Sequence, residues 1–592
     1  MSSVKYAVGL LLIAACTGKS STARFGDAGG DGGAGVNDGG QSLGDGGGAG
    51  VGVSCSSDLH QVLDIDGKVV KTCPPDLGCA GGECVPACDS AKANKSTIGC
   101  DYYSVPPDVI AEGRGGCFAA FIANTWDSAV TLGVERGGQQ LNIAGMARIP
   151  SGSGQSITYK ALTNGELPPG EVAILFLSRN GTFLADCPTG VTPGYTTALS
   201  SITGTGLGEG FHITSSAPVV AYDIYPYGGG ASAATSATLL LPTSAWGTNY
   251  VGVNAYRKST VAPNADPFLS IVAAEDGTNV TLSPKAAIVG GGGVASSGQG
   301  VPVTYALSRG QVIQFTQPAE LTGSAIESDK PIGVFGGNTC LSIDITAYAC
   351  DSAHQQLPPV DALGSEYVAV RYRNRFDGEE ESPPWRIVGA VDGTTLTYEP
   401  SRPLLAPQSI AFGEVVEFKS PGGFTIKSQD DKHPFYMSAH MTGCSSLSGG
   451  TSDCRGDPEF VNVIPSAQYL QSYVFFTDPT YPETNLVLVR QKTASGFKEV
   501  DLDCLGTVTG WKAISADYEY ARVDLVRGNF EKQGKCDNGV HKIKSDGTFG
   551  LTVWGWGSSA SGNFMSLAVS YAYPAGASVK SINTVVVPAG PH

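Results

Sequence analysis

The chain is 592 residues long, more than one hydrophobic core usually spans, and 41% of it is apolar, so several packed units are expected. Its net charge is −17 and no Lys/Arg run offsets it, which excludes nucleic acid as a partner, because phosphate binding needs a basic surface that displaces counterions. Charged residues make up only 15%, and 80 glycines punctuate β-branched and aromatic runs, a composition that builds strands and turns rather than helices.

Residues 1–15 have the build of a signal peptide: Lys5, then an apolar run from Tyr6 to Ala15 that is too short to span a bilayer. The run ends in Ile13-Ala14-Ala15-Cys16, which resembles the bacterial lipobox, a branched apolar residue and two small ones before a cysteine. Cys16 is therefore expected to be lipidated and to anchor the protein at the outer membrane or cell surface; an ordinary cleavage site followed by secretion is the alternative. Residues 16–54 hold Gly, Asp, Ala and Ser with almost nothing to bury, so they read as a disordered tether. Asp27, Asp31, Asp38 and Asp45 lack the regular period of calcium-binding nonapeptide repeats.

Residues 55–100 carry Cys55, Cys73, Cys79, Cys84, Cys88 and Cys100. There are no C-x-x-C pairs with partner histidines, so a small disulfide module is expected rather than a zinc site, with its pairing left open by the sequence. Setting Cys16 aside, the other cysteines are even in number, as an exported, oxidised chain requires.

Residues 101–592 repeat themselves. SSAPVVAYD, SDKPIGVFG and KHPFYMSAH place Pro218, Pro331 and Pro434 at intervals of 113 and 103 residues. LPTSAWGTNYVGV, PPVDALGSEYVAV and IPSAQYLQSYVFF place Pro242, Pro359 and Pro465 eight residues before Tyr250, Tyr367 and Tyr473. Asp276 and Asp392 head a third pair of matching blocks, and Lys542-Ile543-Lys544-Ser545 echoes Thr425-Ile426-Lys427-Ser428 in a degenerate last copy. Units of about 105–117 residues, with short apolar runs between Gly, Asp-Gly and Pro, predict an all-β region of tandem sandwich-like units. A β-propeller, each unit supplying two blades, is the alternative. Cys340 and Cys350, then Cys444 and Cys454, follow equivalent strands at the same spacing, and a local disulfide in each unit is the simplest account.

The stretch GFHITSSAPVVAYDIYPY through ATLLLPTSAWGTNYVGV resembles the IgGFc-binding protein family, as does FIANTWDSAVTLGV. The resemblance rests on Ser215, Pro218, Val219 and Tyr222 and on Leu240, Leu241, Pro242, Trp246, Gly247 and Tyr250. The cysteine-rich segment with GCDYYSVPPDV also resembles the front end of myxobacterial surface lipoproteins. Such a resemblance implies binding, and it assigns no ligand-contacting residue.

The chemistry-bearing motifs are absent from the sequence. There is no H-E-x-x-H, no G-x-S-x-G elbow and no Walker A loop, so no catalytic residue, metal or cofactor is expected. The best candidate for a recognition loop is RYRNRFDGEEESPPW, where Arg371, Arg373, Arg375, Phe376 and Trp385 are of the types enriched at interface hot spots. A solvated hairpin with no partner explains the same run. The function expected is surface binding or adhesion toward an extracellular protein or glycan, with the membrane reached through the lipid anchor. A structural envelope component and an exported hydrolase of glycans or proteins are the alternatives.

Overall fold

A computed structural model describes residues 52–590 except 182, 183, 185, 230–232, 344–349, 451 and 560–566. The expected signal segment, Cys16 and nearly all of the expected tether lie outside the described residues. The rest is all-β, as the turn-punctuated apolar runs predict: antiparallel sheets throughout, and helices no longer than the eight residues of Ala87–Asn94.

Three of the four repeat units are organised by one long, bent strand, which in the third is divided into Phe424–Ser428 and Phe435–Met441. In the first unit it is Phe211–Tyr225; in the second, Ala325–Leu341; in the last, Gly539–Trp556. The S-x-x-P block is the bend. Before it, Phe211–Thr214 pairs with Asp101–Ser104 on one side and with Gly133–Glu135 on the other; after it, Val219–Ile224 pairs with Ala119–Asn124. The Ser215 hydroxyl donates to Ala217 O at 2.7 Å, and Ser328 and Ser428 repeat that turn onto Lys330 O and Asp430 O. Proline is tolerated there because the ladder is interrupted and its missing N–H costs no bond.

The repeated tyrosine locks each unit's entry strand to this long strand. The Tyr250 hydroxyl accepts from Gly247 N–H at 3.0 Å and donates to Ile332 O at 2.7 Å. Tyr367 does the same between Gly364 and Phe435, and Tyr473 between Leu470 and Phe549. Tyr102, in the first unit, donates to Val219 O at 2.6 Å. The repeated proline ties each unit to the one before it. A Cβ on Gly247 would lie 2.5 Å from Pro359, one on Gly364 2.3 Å from Pro465, and one on Gly99 2.4 Å from Pro242. Glycine leaves the only room for that contact.

Four short strands, Ser236–Leu239, Asp351–Gln356, Glu459–Asn462 and Ser570–Pro574, one from each unit, pack against one another in cyclic succession. Side chains stitch them together: Ser352 Oγ donates to Ala234 O, Asn462 Nδ2 to Gln356 O, and Thr235 Oγ1 to Ser570 O. As a result the units do not have separate cores. One apolar cluster joins the first unit to the last, with Phe121 and Phe476 ring centres 4.8 Å apart and Tyr222 and Tyr573 4.5 Å apart. The tandem sandwich-like units are present, and they pack on one another through shared apolar faces. After Ser570–Pro574 the chain runs on as a strap. Thr97 N–H donates to Ala577 O, Asn583 Nδ2 to Val360 O and Leu363 O, and Asn249 pairs with Val587, so the strap touches the first, third and second units in that order.

The cysteine-rich module is bonded Cys55–Cys79, Cys73–Cys84 and Cys88–Cys100. It is packed on the repeats, with Trp126 Nε1 donating to Pro75 O at 2.6 Å and Ser57 Oγ meeting Ser472 Oγ at 2.7 Å. Further bonds join Cys117–Cys187, Cys340–Cys350, Cys444–Cys454 and Cys504–Cys536.

Candidate binding cleft

The Arg371–Trp385 loop is not an exposed hairpin. Arg371, Arg373 and Arg375 are only 2%, 7% and 1% exposed, and Trp385 is buried with its Nε1–H on Ser420 O at 3.0 Å. Arg373 is ion-paired with Glu483 and lies 2.6 Å from Asp524, both on the last unit, and its guanidinium sits 4.6 Å over the Trp556 ring. Arg375 pairs with Glu381 at 2.6 Å, and Tyr372 donates to the same carboxylate at 2.8 Å. Burial alone would raise the Glu381 pKa, but Arg375 and these donors hold it below the ordinary carboxylate value. Phe376 is half-buried beneath the Arg455 guanidinium, 4.4 Å away. These groups tie the third unit to the fourth. The three guanidiniums of the expected recognition loop therefore face protein groups inside the fold rather than solvent, and Arg371 Nε is buried without a hydrogen-bond partner.

Among the described residues, Asp503, Cys504 and His541 alone group with metal-ligand spacing. Cys504 is bonded to Cys536, and the His541 nitrogens face Asp503 Oδ1 at 3.0 Å and Asp537 O at 2.7 Å. A thiolate is needed for such a site and the disulfide has consumed it.

The structure instead presents a cleft of about 620 Å³ where the cysteine-rich module meets the first two repeat units. One wall is helix Ala87–Asn94 and the segment after it, clamped to strand Ile98–Ser104 by the Cys88–Cys100 bond. The floor is aromatic. The His212 ring stacks on Tyr103 with centres 4.6 Å apart and planes at 17°, and Trp246 lies 5.6 Å from Tyr103. Trp246, from the repeated W-G-x-x-Y block, is held by its Nε1–H on Leu241 O at 3.0 Å and fits because Gly333 has no side chain.

His212 Nε2 faces Asp101 Oδ2 at 2.9 Å, and its Nδ1 faces Arg309 Nη2 at 3.1 Å. A guanidinium only donates, so Nδ1 is the acceptor and Nε2 carries the proton toward Asp101. Arg309 also lies 3.8 Å from Glu135. This chain of contacts fixes the floor and joins the second unit to the first. Burial pushes the Tyr103 hydroxyl up to about 12, against the opposing pull of Arg309, so it stays protonated. In contrast, Lys92, Lys95 and Glu275 are exposed around the cleft, and their side chains have no hydrogen bond or ion pair among the described residues. The sequence could not flag this site, because its walls come from positions as far apart as Lys92 and Pro331.

A rigid all-β scaffold stapled by disulfides, with a preformed polar cleft where its units meet, is the build of an extracellular or secreted binding protein. The model of the family described as IgGFc binding protein matches residues 236–555, more than half of the chain, and the chain belongs to that family. The human IgGFc-binding protein is 27% identical over 325 residues, covering 54% of this chain and 5% of the human protein. The chain therefore spans only a small part of that relative's length. The matched span takes in Trp246, Glu275 and Arg309 but ends short of Lys92, Lys95, Asp101, Tyr103 and His212, so half of the cleft lies outside it.

Proposed function

We propose that this chain is a cell-surface binding or adhesion protein, lipid-anchored at Cys16, that recognises its ligand in the cleft between the cysteine-rich module and the first two repeat units. The observation that carries this reading is the contrast inside the cleft. Its floor is locked by the Asp101–His212–Arg309 chain, whereas Lys92, Lys95 and Glu275 at the rim have unused hydrogen-bonding capacity. Preorganised floors with open polar groups favour binding, because little conformational freedom is lost when a ligand enters. His212 has both nitrogens engaged and serves as a fixed part of the floor, and the binding family to which the chain belongs supports binding as the role of the cleft. The name of the human relative makes the Fc part of immunoglobulin G one ligand to test. The experiment is a capture screen with the full chain against immobilised extracellular proteins, immunoglobulin G among them, and glycans, repeated with Arg309→Ala. Capture that the substitution leaves untouched would place recognition elsewhere. Replacing Cys16 by Ser tests the anchor: lipid labelling and membrane retention should both be lost.

A further inference from the structure

We infer that the ligand of this cleft is a carbohydrate, the terminal one or two sugar rings of a glycan. The inference rests on the cleft being the recognition site.

The polar groups left open decide the class. Lys92 and Lys95 offer only donors; Glu275 and the free Oδ1 of Asp101 offer only acceptors; Thr243 and Ser244 offer both. Donors and acceptors face the space from both sides, Lys92, Lys95 and Asp89 on the cysteine-rich module and Glu275, Thr243 and Ser244 on the second unit across the cleft. The opposed charges leave no strong net field to select a simple anion or cation. A ligand that satisfies both walls must donate and accept from the same small volume, which is the property of a ring of hydroxyl groups.

The shape points the same way. A concave space of about 620 Å³ is the scale of a small-ligand site, whereas folded protein partners dock on broader faces through aromatic anchors. Here Tyr103 and Trp246 are 1% and 5% exposed and are committed to the floor, so they cannot anchor a protein partner. They back the His212 ring, which with Ala274 and Pro331 is the apolar surface the cleft itself presents to the C–H face of a sugar. Lys92, Lys95, Asp101 and His212 also lie outside the span matched by the family model, so glycan recognition would belong to this chain rather than to every member.

The test uses the full chain on an array of immobilised mono- and disaccharides: neutral hexoses, N-acetylhexosamines, uronic acids and sialic acids. Lys92→Ala and Glu275→Gln are run beside it; both side chains are exposed and unpaired, so the fold is retained. The expected result is selective binding to a subset of sugars, weakened at least tenfold by either substitution, with free sugar competing. Sugar binding that both variants retain would overturn the inference and the cleft reading together. No sugar binding, with capture of a protein that Lys92→Ala or Glu275→Gln abolishes, would overturn the inference and leave the cleft as the site. No sugar binding and no cleft-dependent capture would again overturn both.

Discussion

Phe476→Ala would show whether the repeats unfold as one body. Phe476 is 1% exposed, belongs to the last unit, and lies 4.8 Å from Phe121 of the first, inside the cluster that both units share. Truncating a buried Phe costs about 3–5 kcal/mol. Unfolding entropy near 60 °C is roughly 2.1 cal/mol/K per residue, so residues 50–592, unfolding together, should show a Tm shift of only about 3–4 °C. The same loss confined to one unit of about 110 residues would move its own transition by roughly 15 °C and leave the others in place. Scanning calorimetry of the disulfide-intact protein separates these outcomes. The shared core predicts one transition that moves as a whole by the smaller amount. Two or more resolved transitions, with one displaced far and the rest unmoved, would refute it.

Acid groups in the core predict that stability falls as pH rises. Burial lifts Asp108 and Asp478 to about 6, and Asp457, among the short strands beside Asp351 and Glu459, to about 7. A carboxyl whose folded pKa is raised contributes its stability fully below pH 3.8 and loses it as pH passes through the folded value. Asp108 alone accounts for about 3 kcal/mol between pH 4 and 8, so Asp108→Asn should flatten the slope of Tm against pH over that range. An unchanged slope would contradict it. Tyr473→Phe removes the hydroxyl shared by Leu470 N–H and Phe549 O and should cost about 1–3 kcal/mol in urea unfolding, with Tyr250→Phe and Tyr367→Phe alike within error. Ending the chain after residue 580 removes the Asn583 and Val587 contacts of the strap; the protein should fold but lose several degrees of Tm, and equal Tm would show that the strap bears no load.

Much of this molecule is written locally. Short apolar runs between Gly, Asp-Gly and Pro determine that the chain is all-β, because strand period and turn chemistry act over a few residues. The repeat spacing identifies equivalent positions, and in the structure each copy plays the same physical role, with proline seated on the glycine of the preceding unit and tyrosine bridging entry strand to long strand. The family resemblance likewise rests on residues close in sequence, Pro218 to Tyr222 and Leu240 to Tyr250.

Only the tertiary structure decided what those pieces face. The glutamates and arginines of the 371–385 loop have the composition of a solvated hairpin, yet Arg373 is enclosed by Glu483 and Asp524, which lie more than a hundred residues downstream. The first and last units share a core because the chain returns on itself, and hydrophobic burial has no direction in sequence that would announce it. The cleft arises in the same way. Lys92, His212 and Arg309 are ordinary surface-type residues until the Cys88–Cys100 bond and the packing of two units bring them around one space. Local periodicity sets which strands form; which polar groups meet depends on long-range packing, and that is a property of the fold alone.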